Sequence, residues 1–134
     1  MAALSIRTIA IRGGVAAVVA AAGNALLVAL SSTLALAPGF AHIAYGRVVV
    51  FTVIGVAAAT VVFAALVRSR PNPRPAFRKL AAAALLVSFV PDVGLLFSDP
   101  AATPAGVVVL MLMHVVAAAA AVWALTRGLG VPDA

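Results

Sequence analysis

Ser88-Phe89-Val90-Pro91-Asp92 places a proline and a carboxylate inside an apolar run that extends from Leu80 to Phe97. A charged side chain is costly among apolar residues, so a carboxylate here needs a partner, a proton or contact with water. The run is close to the roughly 20 residues that a helix needs to cross a bilayer. The stretch therefore predicts a membrane-spanning helix that carries one ionisable group.

The composition of the whole chain also indicates a membrane protein. Of its 134 residues, 66% are hydrophobic and 9% are charged, whereas soluble domains have roughly 25% charged residues. The net charge is +6, but the basic residues flank apolar runs instead of forming a helical stripe with aromatic residues. The bilayer explains them, and nucleic acid is not expected as a partner. The chain has no cysteine, which excludes disulfides and thiolate chemistry.

Four apolar runs predict four transmembrane helices in one domain over residues 1–134. The breaks between the runs contain prolines, which remove backbone donors and restrict the preceding residue. The first run is too long for the apolar part of a secretory signal. We therefore expect an all-α membrane protein, a compact bundle of four helices over residues 15–36, 47–67, 77–97 and 106–126, with a basic, proline-rich loop over 68–75.

The basic residues predict how the bundle is oriented in the membrane. Among them, only Arg47 falls on one side, and the others fall on the side of the two termini: Arg7, Arg12, Arg68, Arg70, Arg74, Arg78, Lys79 and Arg127. Basic residues favour the cytoplasmic side, so both termini are predicted to be cytoplasmic. Ala/Val/Arg-rich usage is typical of a GC-rich bacterial genome, which favours the bacterial inner membrane.

Small residues recur within the predicted helices, for example at Ala81 to Ala84, Ala117 to Ala121, and Gly55 with Ala59. Small side chains allow helix backbones to approach closely in lipid, which favours a tightly packed bundle. So small a bundle leaves much of its surface facing lipid. That surface is compatible with a homo-oligomer.

Polar residues at similar predicted depths form a candidate site. A rise of about 1.5 Å per residue puts Asp92 about 8 Å, His114 about 12 Å and Asn24 about 18 Å below the outer ends of their helices. Thr52 lies in the same depth range as Asp92, and Arg47 at the outer end of its helix can reach toward it. Asp92 and His114 are the candidate acid–base residues; the candidate substrate-binding residues are Asn24, Thr52, Arg47 and Ser88.

Two interpretations of Asp92 stay open. If helix 3 continues through Pro91, Asp92 lies inside the bundle, where a carboxyl group must be protonated, paired or hydrated. Pro91 would then leave the carbonyl of Val87 without its usual donor, a place for water or ligand. If the helix ends at Val90 instead, Asp92 begins the outer loop and is solvated.

Several kinds of site have no support in the sequence. The chain has no glutamate, and its two histidines lie at different predicted depths, so no metal or haem site is predicted. No phosphate-binding loop or dinucleotide-binding motif occurs. The serines lack the surroundings of a hydrolase nucleophile. No cofactor is therefore expected.

The motifs Val90-Pro91-Asp92 and Met113-His114-Val115-Val116-Ala117-Ala118-Ala119, with the four-span layout, resemble a family of small four-helix membrane proteins of actinobacteria of uncharacterised function. The resemblance covers most of the chain. It implies the same layout and brings no activity with it.

Three functions remain open at this point. The first is an outer-leaflet pocket that binds a lipophilic small molecule, or isomerises or cyclises it by proton transfer. In this function Asp92 is the acid or base, His114 is its partner, and Asn24 and Thr52 are orienting hydrogen-bond donors. The second is a proton-coupled transporter in which Asp92 alternates between a proton and a small solute. Very small transporters often need an inverted partner to open to both sides of the membrane, and the basic residues favour a single orientation here, which disfavours this function. The third is a structural or accessory subunit whose polar groups only join helices.

Overall fold

The computed structural model describes residues 4–127, and within that range the chain forms four long α-helices and one short 3-10 turn, with no β-strand. All four α-helices are long and apolar enough to cross a membrane. This confirms the predicted class, an all-α bundle of four potential membrane spans. The elements are α1 (Ile6–Thr33), the 3-10 turn (Ala41–Ile43), α2 (Tyr45–Ser69), α3 (Pro73–Ser98) and α4 (Pro104–Thr126).

The first helix differs from its predicted range of 15–36 at both ends. It begins at Ile6 because the Ser5 side chain accepts a hydrogen bond from the Thr8 backbone N–H at 3.1 Å, which caps the first turn. It ends at Thr33 because Ala35 adopts a left-handed conformation, with φ of 48°. The Leu36 N–H then bonds back to the Ser31 carbonyl at 3.0 Å, as helix ends with a left-handed residue commonly do.

The basic, proline-rich loop predicted over residues 68–75 is mostly helical, which corrects the prediction. Helix α2 continues to Ser69 and α3 begins at Pro73, so only residues 70–72 lie outside a helix. Proline is unfavourable inside a helix but tolerated in its first turn, where the backbone N–H groups have no helical acceptor. Pro73 and Pro75 occupy that turn and leave few donors to satisfy. Helix α2 likewise begins at Tyr45 and α4 at Pro104, two residues before each prediction.

Helix α3 passes through Pro91 without ending and continues to Ser98. The interpretation in which the helix stops at Val90 and Asp92 begins a loop is therefore wrong. Pro91 itself is exposed, while Asp92 is buried, with 4% of its surface accessible. The proline ring thus faces outward and the carboxylate faces the other helices.

Helix α1 packs against both α2 and α4, whereas α3 packs mainly against α4. Arg12 near the start of α1 donates to the backbone carbonyls of Leu125 and Arg127 at the end of α4. We call this the basic end of the bundle: α1 begins there, α2 ends, α3 begins and α4 ends. The opposite end, with residues 34–44 and 99–103, is called the loop end.

Three clusters of buried side chains fill the bundle from one end to the other. At the basic end, Phe63 of α2 meets Phe77 of α3 edge-on, with ring centroids 5.1 Å apart, and both pack with Leu125. Alanines such as Ala16 and Ala120 fill the middle. The loop end is closed by a cluster made up of Val28, Phe40, Ile43, Val48, Val109 and Met113.

A close approach of α1 to α2 at Gly13 generates a stability prediction. A Cβ atom added at Gly13 would lie 2.5 Å from Thr60 Oγ1, and that hydroxyl already donates to the Val56 carbonyl at 2.8 Å. We expect Gly13→Ala to lower the unfolding free energy in detergent by about 1–3 kcal/mol, the usual cost of overpacking. Thermal unfolding followed by circular dichroism measures this.

The neighbouring Gly14 provides the matched control, since a Cβ atom added there meets nothing within 4 Å. Gly14→Ala should leave stability unchanged or raise it by up to about 1 kcal/mol through helix propensity. Equal effects of the two alanines would contradict the close approach at Gly13.

Candidate functional site

The centre of the candidate site is a pair formed by Asp92 of α3 and His114 of α4. Asp92 Oδ2 lies 2.8 Å from His114 Nδ1, and the Asp92 side chain is 6% exposed. Of the two interpretations of Asp92, the structure therefore agrees with the one that places it inside the bundle. Because the helix continues through Pro91, Asp92 lies one turn after Ser88, and both residues face inward on α3.

The buried atoms of this pair depend on each other. Within residues 4–127, neither Asp92 Oδ2 nor His114 Nδ1 has any other polar partner. Arg47 is exposed at the start of α2 and has no hydrogen bond or ion pair in the described part of the chain, so it does not reach the carboxylate. The histidine is the group that offsets burial of Asp92.

Asn24 and Thr52 form a separate polar pair between α1 and α2. The Asn24 side-chain amide donates to Thr52 Oγ1 at 2.9 Å, and both residues are buried. Asn24 Oδ1 is also buried and has no partner among the described residues. No hydrogen bond or ion pair joins this pair to Asp92 or His114 within residues 4–127. The single predicted constellation is thus two pairs in two helix interfaces.

An apolar groove of about 440 Å³ runs between α2 and α3, with α4 as its floor. Its volume is in the range of about 300–1,000 Å³ found for small-molecule sites. Two of its lining side chains are polar, Ser88 and His114, and the others are apolar or small. The Ser88 hydroxyl donates to the Leu85 carbonyl at 2.6 Å, so toward a ligand its oxygen can only accept.

His114 belongs to both the pair and the groove. Its Nδ1 atom is buried beside Asp92, yet 39% of the side chain is exposed and the residue lines the groove. The other ring nitrogen, Nε2, is the one left for a ligand. An imidazole held this way by a carboxylate can accept a proton at Nε2 and return it, while the carboxylate fixes the ring and stabilises its protonated form.

The groove extends from the middle of the bundle toward the basic end, whereas the sequence predicts a pocket in the outer half. On α3 it reaches from Ser88 back to Phe77, and on α4 from His114 to Ala121. Neither Asn24 nor Thr52 lines it. The depths counted along the helices place Asp92 and His114 at similar levels, but they do not show in which direction the open space runs.

The small residues of the predicted helices are the sequence signal for the groove. Gly55, Ala84 and Ala118 belong to the small-residue stretches expected to bring helices together, and all three line the groove. A Cβ atom added at Gly55 meets nothing within 4 Å, and Ala84 is exposed. At these positions the small side chains leave space between helices.

A second histidine–aspartate pair lies at the loop end and was not predicted. His42 Nδ1 is 3.5 Å from Asp99 Oδ2, and the two side chains are 36% and 25% exposed. Asp99 also accepts the Ala101 backbone N–H at 2.9 Å. This pair ties the 3-10 turn to the connection between α3 and α4, and it provides an internal comparison for the buried pair.

The fold and the pair together define a small multi-pass membrane protein with an ionisable pair inside its helix bundle. The chain belongs to the family described as "Family of unknown function (DUF6069)", whose model matches residues 4–131. No curated protein and no solved structure matches the chain. Membership agrees with the predicted family of uncharacterised function, and the actinobacterial origin stays a prediction.

The mutual dependence of Asp92 and His114 can be measured by a double-mutant cycle. Asp92→Leu leaves His114 Nδ1 without its partner, and His114→Leu leaves the carboxylate unpaired, so each single change should be destabilising. We expect a coupling of about 0.5–3 kcal/mol from the unfolding free energies of the wild type, both single variants and the double variant in detergent. Additive effects would contradict a direct interaction.

Proposed function

We propose that the protein binds a lipophilic molecule in the groove between α2 and α3 and transfers a proton on it through His114, held by Asp92. One observation carries this proposal: His114 has one ring nitrogen against a buried carboxylate and also lines an apolar groove.

The chemistry that fits these groups is an isomerisation or enolisation. His114 Nε2 removes a proton from a carbon made acidic by a neighbouring carbonyl group, and Asp92 stabilises the imidazolium that forms. The imidazolium then returns the proton to the same carbon or to a conjugated one. The proton is the only species exchanged, so the step needs no oxidant, reductant or second substrate. The apolar walls keep water away from the enolate.

We place the protein in the bacterial inner membrane with its basic end toward the cytoplasm. The support is the charge distribution: among residues 4–127, the arginines and lysine cluster near the ends of the helices at the basic end, and Arg47 alone lies near the loop end. Basic residues are enriched in the cytoplasmic segments of membrane proteins. The groove then opens within the inner half of the bilayer.

Proton transfer to carbon can be detected without knowing the substrate. The purified protein, incubated in D₂O with a lipid extract of its native host, should introduce deuterium into at least one lipid, as measured by mass spectrometry. His114→Gln should reduce the rate by about 10²–10⁴-fold, because it removes the base. Asp92→Asn should reduce it through loss of the group that orients the ring.

The matched control is His42→Gln, which changes the histidine of the other pair. That variant should exchange deuterium at the wild-type rate. Equal loss in both variants, or no exchange by the wild type, would contradict proton transfer at His114. Proton-driven solute uptake into liposomes that requires Asp92 would indicate the transporter instead, and loss of stability alone in the Asp92 and His114 variants would indicate a structural subunit.

Ligand binding in the groove is tested separately from chemistry. Ala84 lines the groove and is exposed, whereas its neighbour Ala83 is exposed and does not line it. A photoreactive long-chain alcohol should label groove residues of the wild type, and excess unlabelled alcohol should suppress that labelling. Ala84→Phe should abolish the suppressible labelling because its ring fills the groove, while Ala83→Phe should retain it. Equal labelling of both variants would show that the groove is not the binding site.

A further inference from the structure

A positive charge near the basic end of the groove indicates which kind of lipid binds there. This inference rests on the function proposed above. On α3 the groove is lined by Phe77, Ala81, Leu85 and Ser88, at the spacing of one helix face. From Phe77 to Ser88 this face spans about 16 Å. Its far end is at the level of His114, and its near end is at the basic end of the bundle.

Arg78 lies at the edge of the α3 face that lines the groove and is not itself a lining residue. It precedes Ala81 by three residues and Leu85 by seven, so the three side chains form one row along α3. Arg78 is exposed and has no hydrogen bond or ion pair within residues 4–127. Lys79 is also exposed, but it is in register with Ala82, Ala83 and Leu86, which do not line the groove.

The described part of the chain offers Arg78 no acidic partner. The acidic side chains within residues 4–127 are Asp92 and Asp99, and each lies beside a histidine. Among the described residues, no acidic side chain therefore competes with an outside anion for the Arg78 guanidinium. Guanidinium groups bind carboxylates and phosphates through two parallel hydrogen bonds.

We infer that the ligand is a single-chain lipid anion, whose charged head group binds Arg78 while its chain lies in the groove with a reactive position beside His114. The distance from Arg78 to the level of Ser88 is about 15 Å along the helix. The carbonyl group that acidifies the neighbouring carbon is therefore part of the lipid chain, about 15 Å from the head group. Arg78 is then a substrate-positioning residue, because the depth of its contact sets which carbon reaches His114.

The test compares a photoreactive fatty acid with the fatty alcohol of the same length, at a pH where the acid is ionised. The wild type should bind the acid about tenfold more tightly than the alcohol, because a hydrogen-bonded charged contact contributes about that factor. Arg78→Gln should remove this preference and leave alcohol binding unchanged. Lys79→Gln, the matched loss of one positive charge, should keep the preference.

Other results would contradict either the contact with Arg78, the anionic head group or binding in the groove itself. If Arg78→Gln keeps the preference, or if Lys79→Gln loses it equally, the head group is not held at Arg78 and surface charge alone attracts the acid. If the wild type shows no preference while Ala84→Phe still blocks the alcohol, the lipid is not an anion and the proposed groove binding stands. If Ala84→Phe changes neither lipid, the proposed function fails together with this inference.

Discussion

Burial of the Asp92 carboxylate is the constraint on which the interior of this protein depends. A carboxylate surrounded by apolar helices loses its hydration, and His114 provides the interaction that offsets this loss. The pair joins α3, the most peripheral helix, to α4. Helix α3 has few buried residues, so apolar packing does little to fix its position against α4. The Asp92–His114 pair fixes that position instead. The same position brings His114 to the groove.

The sequence was sufficient for the number of helices and their approximate ranges, and it indicated Asp92 and His114 as candidates without deciding whether they meet. These follow from the length of apolar runs and from the cost of a lone charge among them. The sequence was insufficient at the first turn of α3, which was predicted to be part of a loop. Proline is unfavourable in the interior of a helix but is tolerated in its first turn. The sequence of residues 68–75 alone does not show whether its prolines end one helix or begin the next.

The groove shows a different limit of prediction. Gly13 and Gly55 are both small residues in apolar helices, yet a side chain at Gly13 would meet Thr60 while one at Gly55 would meet open space. Small residues permit close contact, and whether contact occurs depends on the neighbouring helix. Separation of Asn24 from Asp92 has the same origin: depth along a helix can be counted from the sequence, whereas the interface that each side chain enters depends on how four helices are arranged.

Pro91 has a mechanical consequence for the wall of the groove. Its ring removes the helical hydrogen bond to the Val87 carbonyl, just before the residue that anchors α3 to α4. Toward the loop end, α3 is held by Asp92; toward the basic end, Phe77 is its main buried apolar contact. The turn before Pro91 is therefore the point at which the backbone hydrogen bonding of α3 is weakest. Helix α3 also has the fewest buried residues of the four α-helices, so the wall of the groove that it forms is the one with the least packing behind it.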